Sequence, residues 1–273
     1  MESANAQVMN ARVLSVEALN DRPAGSAVAV IPTYNERDNI KELVEAIGRT
    51  RTDIFFVDDA SPDGTADFIR EVARDAMVRV WLMKRGGKLG LGTAYVDAFG
   101  WLLAEVPGYD VLLEMDADFS HEPAKLPELV AASRASGISV GSRYVPGGDC
   151  PDWPLNRRLL SYYANVYARL VLGLRFSKFS VHDATAGYVA WRRDVLQKVL
   201  ARRPASNGYA FQIETKLLAA LDGHVPVEIP IVFRDRRKGR SKISRAIVLE
   251  AMILPWKLLL RRRHDPTAYP RHS

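Results

Sequence analysis

The 273-residue sequence predicts an α/β fold, a mostly parallel central sheet with helices on both faces. Three observations carry that prediction. Apolar runs at 27–32, 54–58, 78–83, 111–116 and 138–141 are nearly continuous, as in strands buried on both faces. Helical stretches at 36–48, 63–76, 92–105 and 123–136 separate them, the rhythm of βαβ units. Three of the strands end in polar, acidic clusters, and open α/β sheets bind ligands beyond the carboxyl ends of their strands.

Composition narrows the class. With 48% hydrophobic residues, 18 Gly and 15 Pro, the chain is neither disordered, collagenous nor a coiled coil. One cysteine, Cys150, excludes an intramolecular disulfide framework and any multi-cysteine zinc site, and fits a reducing compartment. The net charge of +6 is unevenly placed. From Arg234 to Arg263, eleven Lys or Arg face only Asp235 and Glu250, giving +9 and leaving −3 for the remainder. Such an end suits phosphates.

Residues 1–25 read as a mobile polar leader, without the basic start and apolar core of a signal peptide. No run approaches the ~18 apolar residues of a membrane span. After Tyr144, Pro, Gly and aromatics precede an amphipathic stretch with Leu155, Leu159, Tyr163, Val166, Leu170 and Leu174 at helical spacing. A strand pair at 187–191 and 225–233 and helices at 193–200 and 211–221 follow. Residues 246–260 combine apolar residues, Trp256 and the flanking Arg261, Arg262 and Arg263. They suit a helix on a bilayer surface, a helix packed on the core, or both. The expected organisation is one catalytic domain, 26–243, followed by a basic amphipathic C-terminal segment, 244–273.

The strongest chemical signal is Asp116-Ala117-Asp118 at the end of a strand. Strand residues two apart point to the same side, so the two carboxylates can share a hard cation with substrate phosphates. A solvated turn is the alternative. Asp58 and Asp59 end a second strand before turn residues Pro62, Asp63 and Gly64. Asp59 suits a base or ribose donor, or both acids serve turn and cap. Pro32, Tyr34 and Glu36 end the first strand, with Tyr34 for a ring and Glu36 near ribose. Asn35 as cap and Glu36 as first-turn acid explain that segment equally. Residues 84–92 form a basic, Gly-rich loop that contains no phosphate-loop motif. Arg143 ends another strand and offers a guanidinium to a phosphate or ribose, and residues 236–242 form a basic loop that either closes on a diphosphate or is a solvated charge run. His121 and His182 have no partners at ligand spacing and read as capping or polar-contact residues.

In this order, IPTYNERDNI, VDDASPDGT, KLGLGTAY, MDADFSHEP, GSRYVPGG, DWPLNRRLLS, ATAGYVAWRRDVL, GYAFQIE and FRDRRKGRSKI resemble the dolichol-phosphate (polyprenol-phosphate) mannose synthases. These are inverting glycosyltransferases of family two with the GT-A fold. The resemblance spans residues 27–243. It implies mannose transfer from GDP-mannose to a polyprenyl phosphate, a bound Mg²⁺ or Mn²⁺, and a peripheral place on the cytoplasmic side of a membrane. By motif, it implies that Pro32, Tyr34, Glu36, Val57 and Asp59 contact the nucleotide. Asp116 and Asp118 would hold metal and diphosphate beside the Ala117 backbone. Arg143 would bind donor phosphate or sugar, Arg236 and Lys242 would close over the diphosphate, and Arg157 would face the acceptor phosphate. Some members have Gln at Ser120, a possible metal ligand, and some have transmembrane helices. Here the basic end or a membrane-protein partner would anchor the chain.

The acceptor phosphate, with a second pKa of about 6, arrives largely ionised and needs no general base. Two other readings remain. One is a UDP-glucose-dependent glucosyltransferase acting on polyprenyl phosphate. The other is a basic nucleic-acid-binding module, which the acidic strand ends disfavour because they repel a polyanion.

Overall fold

The computed structural model describes residues 12–174, 176, 179–204, 206, 208–235, 253 and 255–260. The chain divides into two compact units, Met1–Pro127 and Glu128–Ser273.

The first unit contains strands β1 (Val13–Ala18), β2 (Ala27–Thr33), β3 (Asp53–Asp58), β4 (Val80–Arg85) and β5 (Val111–Glu114). Helices α1 (Arg37–Gly48), α2 (Thr65–Ala73) and α3 (Leu91–Glu105) connect β2 through β5. Strand order is β1-β4-β3-β2-β5, with β2, β3, β4 and β5 parallel. The chain therefore winds outward from β2 to β4, then returns to place β5 on the other side of β2. That reversal is a topological switch point.

Packing follows the sequence pattern. Val28, Ala29, Val30 and Ile31 of β2 and Ile54, Phe55, Phe56 and Val57 of β3 are fully buried, because helices cover both faces. α1 buries Ile40, Leu43, Val44 and Ile47, the i, i+3, i+4, i+7 stripe of an amphipathic helix. α3 buries Tyr95, Ala98, Phe99 and Leu102.

Residues 13–18, expected to belong to a mobile leader, instead form β1, antiparallel to β4. Arg70 of α2 holds it through Glu17, with Nε and NH2 donating to Oε1 at 3.0 and 2.6 Å.

The second unit contains α4 (Leu126–Ser136, whose first two residues fall in the first unit), β6 (Ile138–Ser142), α5 (Leu155–Gly173), β7 (Val189–Arg192), α6 (Arg193–Ala201), α7 (Gly208–Leu221) and β8 (Val227–Pro230). β7 and β8, expected to pair with each other, instead flank β6, antiparallel and parallel respectively. β6 is fully buried and offers two edges, so it takes the central place.

Ala168 and Leu172 of α5 pack with Phe179, Val181, Ala210, Ile213, Leu217 and Leu258. Trp256 Nε1 donates to the Tyr167 hydroxyl at 2.6 Å. The C-terminal segment thus packs on the core at residues 255–260, one of its two sequence readings. Most of residues 244–273 lie outside the described residues.

Candidate active site

Three strand ends of the first unit converge at the switch point. Pro32 lies beside Val57 and Thr33 beside Asp58 in the β2–β3 register. Met115 N–H donates to Val30 O at 3.1 Å, carrying the β2–β5 pairing past Glu114. Each end turns through a non-glycine residue in the left-handed region: Asn35 (φ 61°), Ala60 (φ 56°) and Phe119 (φ 62°). Such backbone costs about 1–3 kcal/mol per residue and persists where surroundings over-determine it, often at functional sites. Here it turns the chain abruptly after Tyr34, Asp59 and Asp118.

The β2 end departs from its capping reading, which took Asn35 as the cap and Glu36 as a first-turn acid. Tyr34 is half-buried, and Lys88 Nζ lies 4.1 Å from its ring centroid, so a cation already uses that ring. Glu36, rather than Asn35, is the N-cap position of α1, and its Oε2 accepts from Asn39 Nδ2 at 2.9 Å.

The two β3 acids have different roles. Asp58 accepts from Ser61 N–H at 3.0 Å, Ser61 Oγ at 2.5 Å and Thr33 Oγ1 at 3.1 Å, so it builds the turn. Asp59 turns instead to Arg85, whose Nε and NH2 donate to its two oxygens at 2.6 and 2.8 Å. Asp63 accepts from Thr65 N–H at 3.0 Å and Thr65 Oγ1 at 2.6 Å at the start of α2. Burial opposes ionisation of Asp63, but these bonds outweigh it and hold the carboxyl below its usual value.

The β5 end is a tight turn. Asp116 N–H donates to His121 Nδ1 at 3.0 Å, and Ser120 N–H donates to Asp118 Oδ1 at 3.0 Å. Nδ1 therefore accepts, which assigns the neutral ring's proton to Nε2, 4.0 Å from Asp116 Oδ2. His121 is thus a polar-contact residue, as its isolation in the sequence suggested, and the residue it contacts is Asp116. The Asp116 side chain is about one-third exposed, whereas Asp118 and Ala117 are buried.

A divalent cation suits this turn on one structural observation. The Ser120 hydroxyl oxygen is buried without a hydrogen-bond partner among the described residues, two positions from Asp118. An oxygen of that kind, in the same turn as two carboxylates, is among the hard donors Mg²⁺ and Mn²⁺ prefer. No group of three or more His, Cys, Asp or Glu is placed for a metal among the described residues, so substrate or water oxygens would complete the shell.

In the second unit, Arg143 follows β6. Its Nε and NH2 donate to Asp183 at 2.7 and 2.6 Å, its N–H donates to Asp183 at 3.0 Å, and NH2 also reaches Thr185 Oγ1 at 2.9 Å. Both Asp183 and Arg143 are buried. The guanidinium carbons of Arg143 and Arg157 lie 5.3 and 4.0 Å from the Trp153 ring centroid, so two cations meet at one indole. Trp153 Nε1 and Arg157 Nε are buried and unpartnered among the described residues. Arg157 NH1 donates to Asp235 Oδ1 at 2.9 Å. Each guanidinium is already paired with a carboxylate, Arg143 with Asp183 and Arg157 with Asp235, so the donors left at this indole among the described residues are Arg157 Nε and the indole's own Nε1.

α5 presents its apolar stripe outward. Leu155 (70% exposed), Leu159, Tyr163, Leu170 and Leu174 (75%) face solvent, while Asn165, Ala168, Val171 and Leu172 face the core. Among the described residues, no helix is long and apolar enough to cross a membrane. Arg236 and Lys242 lie outside the described residues. Sequence reading missed Arg85, Asp97 and Asp183 as partners of site residues. Each sits far along the chain from the group it holds, so no local motif marks it.

The family model for glycosyl transferase family 2 matches residues 28–200. Polyprenol monophosphomannose synthase of Mycolicibacterium smegmatis is 42% identical over 247 residues, covering 89% of this chain and 91% of that protein. Undecaprenyl-phosphate mannosyltransferase of Micrococcus luteus is 43% identical over 232 residues, covering 83% and 90%. Mannosyl-3-phosphoglycerate synthase from Rubrobacter xylanophilus shares the fold at TM-score 0.57 and 17% identity, covering 90% of this chain and 78% of that one. Glucosyl-3-phosphoglycerate synthase from Mycobacterium tuberculosis, solved with Mn²⁺, uridine-diphosphate-glucose and glycerol 3-phosphate, gives TM-score 0.54 at 18% identity, covering 85% and 80%. With strands ending in acidic turns at a switch point and a family match across most of that framework, the chain is a glycosyltransferase belonging to glycosyl transferase family 2.

Proposed function

We propose that the chain transfers mannose from GDP-mannose to a polyprenyl phosphate with inversion, at the surface of a membrane. The observation that carries this reading is the 42% identity over 89% of the chain to a polyprenol monophosphomannose synthase. In it, Pro32, Tyr34, Glu36, Val57 and Asp59 bind the nucleoside part of the donor. Asp116 and Asp118, beside Ala117 and in the same turn as the buried Ser120 hydroxyl, would hold Mg²⁺ or Mn²⁺ at the diphosphate. The bound cation would neutralise charge on the departing diphosphate.

Arg157 receives the acceptor phosphate and Arg143 serves a donor phosphate or the sugar. Arg236 and Lys242 contribute charge to the diphosphate. An oxygen of the ionised acceptor phosphate forms the new bond to the anomeric carbon as the bond to GDP breaks, so no side chain must remove a proton. The protein's task is electrostatic, to bring two anions together and stabilise the leaving one.

The outward stripe of α5, with Arg157 and Arg158 at its start, supports a peripheral place on a membrane surface, where the long apolar acceptor is embedded. A membrane-protein anchor is compatible with this reading, and nucleic acid is not a partner. Purified chain is incubated with Mg²⁺, polyprenyl phosphate and radiolabelled GDP-mannose or UDP-glucose. Label entering the organic phase from GDP-mannose is the expected result. Label from UDP-glucose alone would replace the donor assignment with the glucosyl reading, and label from neither would refute both.

A further inference from the structure

Asp59 is held from behind by a side chain that has no donor left for a ligand. Arg85, the last residue of β4, is fully buried, with a side-chain exposure of 0%. Its Nε donates to Asp59 Oδ1 and its NH2 to Asp59 Oδ2. NH2 also donates to Gly90 O at 3.1 Å, and NH1 donates to Asp97 Oδ2 at 3.0 Å and Thr93 Oγ1 at 2.9 Å. A guanidinium has five N–H donors, and these five contacts use them all.

The carboxylate can be counted in the same way. Asp59 offers about four acceptor positions. Arg85 fills two, and Leu89 N–H fills a third, on Oδ2 at 3.2 Å. One position remains, on Oδ1, in a side chain that is 10% exposed. Asp97, whose side chain is only 4% exposed, feels the charge of Arg12 as well as that of Arg85, so Arg85 ties two carboxylates of which Asp59 is the more exposed. The same contacts tie Leu89, Gly90 (φ 100°) and Thr93 at the entry to α3, so the Gly-rich loop and Asp59 are fixed as one unit.

We propose that Arg85 and Asp97 are positioning residues that set Asp59 with a single acceptor aimed at an N–H or O–H of the donor's nucleoside. This rests on the nucleotide-sugar reading of Asp59. Neither residue touches the ligand. Both act by fixing, before binding, a carboxylate that would otherwise have to be ordered by it. A nucleoside contact is made equally in ground and transition states, so its loss raises KM and leaves kcat unchanged.

The test is calorimetric binding of GDP and UDP, with Mg²⁺, to the full chain and to Asp97→Asn, Arg85→Lys, Asp59→Asn and the Asp59→Asn/Asp97→Asn double variant. Thermal melts accompany each, and Asp97→Asn, nearly isosteric, carries the test should Arg85→Lys not fold. Asp97→Asn should weaken binding of the preferred diphosphate about three- to thirtyfold, within the range that coupled neighbours span. Donor KM should rise by the same factor at constant kcat, and Asp97→Asn should add nothing in the Asp59→Asn background. Folded Asp97→Asn binding like wild type, or two effects that multiply, would overturn the proposal alone. A wild-type chain that binds neither diphosphate would overturn the nucleotide reading with it.

Discussion

Arg143 and Asp183 lie 40 positions apart in the sequence and form a buried, two-pronged ion pair. The guanidinium is thereby given one orientation at the end of β6, against Trp153, Tyr144 and Phe233.

Removing one partner of a buried pair leaves the other charge without compensation. Asp183→Asn should cost about 3–5 kcal/mol. Burial alone would raise the Asp183 carboxyl, but the Arg143 charge and its hydrogen bonds outweigh burial and hold it below its ordinary value. The pair's stabilisation is therefore present above the unfolded value of about 3.9 and is lost as pH falls through the lower folded one. Urea melts from pH 7 to pH 3 should show the gap between wild type and Asp183→Asn narrowing toward acid. A gap independent of pH would contradict the assignment.

Gly148 has no room for a side chain. A Cβ there would lie 2.6 Å from Ser142 O and 2.8 Å from the Arg143 carbonyl carbon, both backbone atoms. Gly148→Ala should destabilise by about 1–3 kcal/mol, the usual range for overpacking. It should also raise the KM for GDP-mannose by displacing the Arg143 backbone. Thermal melts and donor titrations read the two effects separately.

Asp118→Ala should abolish transfer, a loss of at least about a hundredfold, while leaving the circular dichroism spectrum unchanged. Electron paramagnetic resonance of Mn²⁺ reads the cause without turnover. Binding should weaken in Asp118→Ala and in Asp116→Asn. Unaltered Mn²⁺ binding in both would remove the metal role from this turn.

The α5 stripe can be changed without touching the core, since its leucines are exposed. Leu159→Glu with Leu170→Glu should reduce co-sedimentation with anionic vesicles about tenfold or more, because each leucine loses apolar burial and gains repulsion. The melting temperature should stay close to wild type. Vesicle binding equal to wild type would assign the stripe to another partner.

The framework of β2, β3 and β5 was legible because continuous apolar runs admit few other structures. The acidic strand ends were legible for the same reason, since a parallel sheet delivers them to one edge. β1 was not, because its sequence VLSVEA is short and partly polar, and its pairing to β4 is a distant contact. The helical period of α5 was readable, but periodicity cannot say whether an apolar stripe faces inward. β7 and β8 looked like neighbours because β6, the strand between them, comes earlier in the chain. The hold of Arg85 on Asp59, 26 positions away, follows from β3 and β4 being adjacent, which no local motif records.

The reaction itself is tested most directly by the mass and anomeric configuration of the lipid formed from GDP-mannose and polyprenyl phosphate by the purified chain with Mg²⁺. A polyprenyl phosphate carrying one hexose in β linkage, with GDP released in equal amount, is the predicted result. An α-linked product, or free mannose and GDP without a mannosylated lipid, would contradict it.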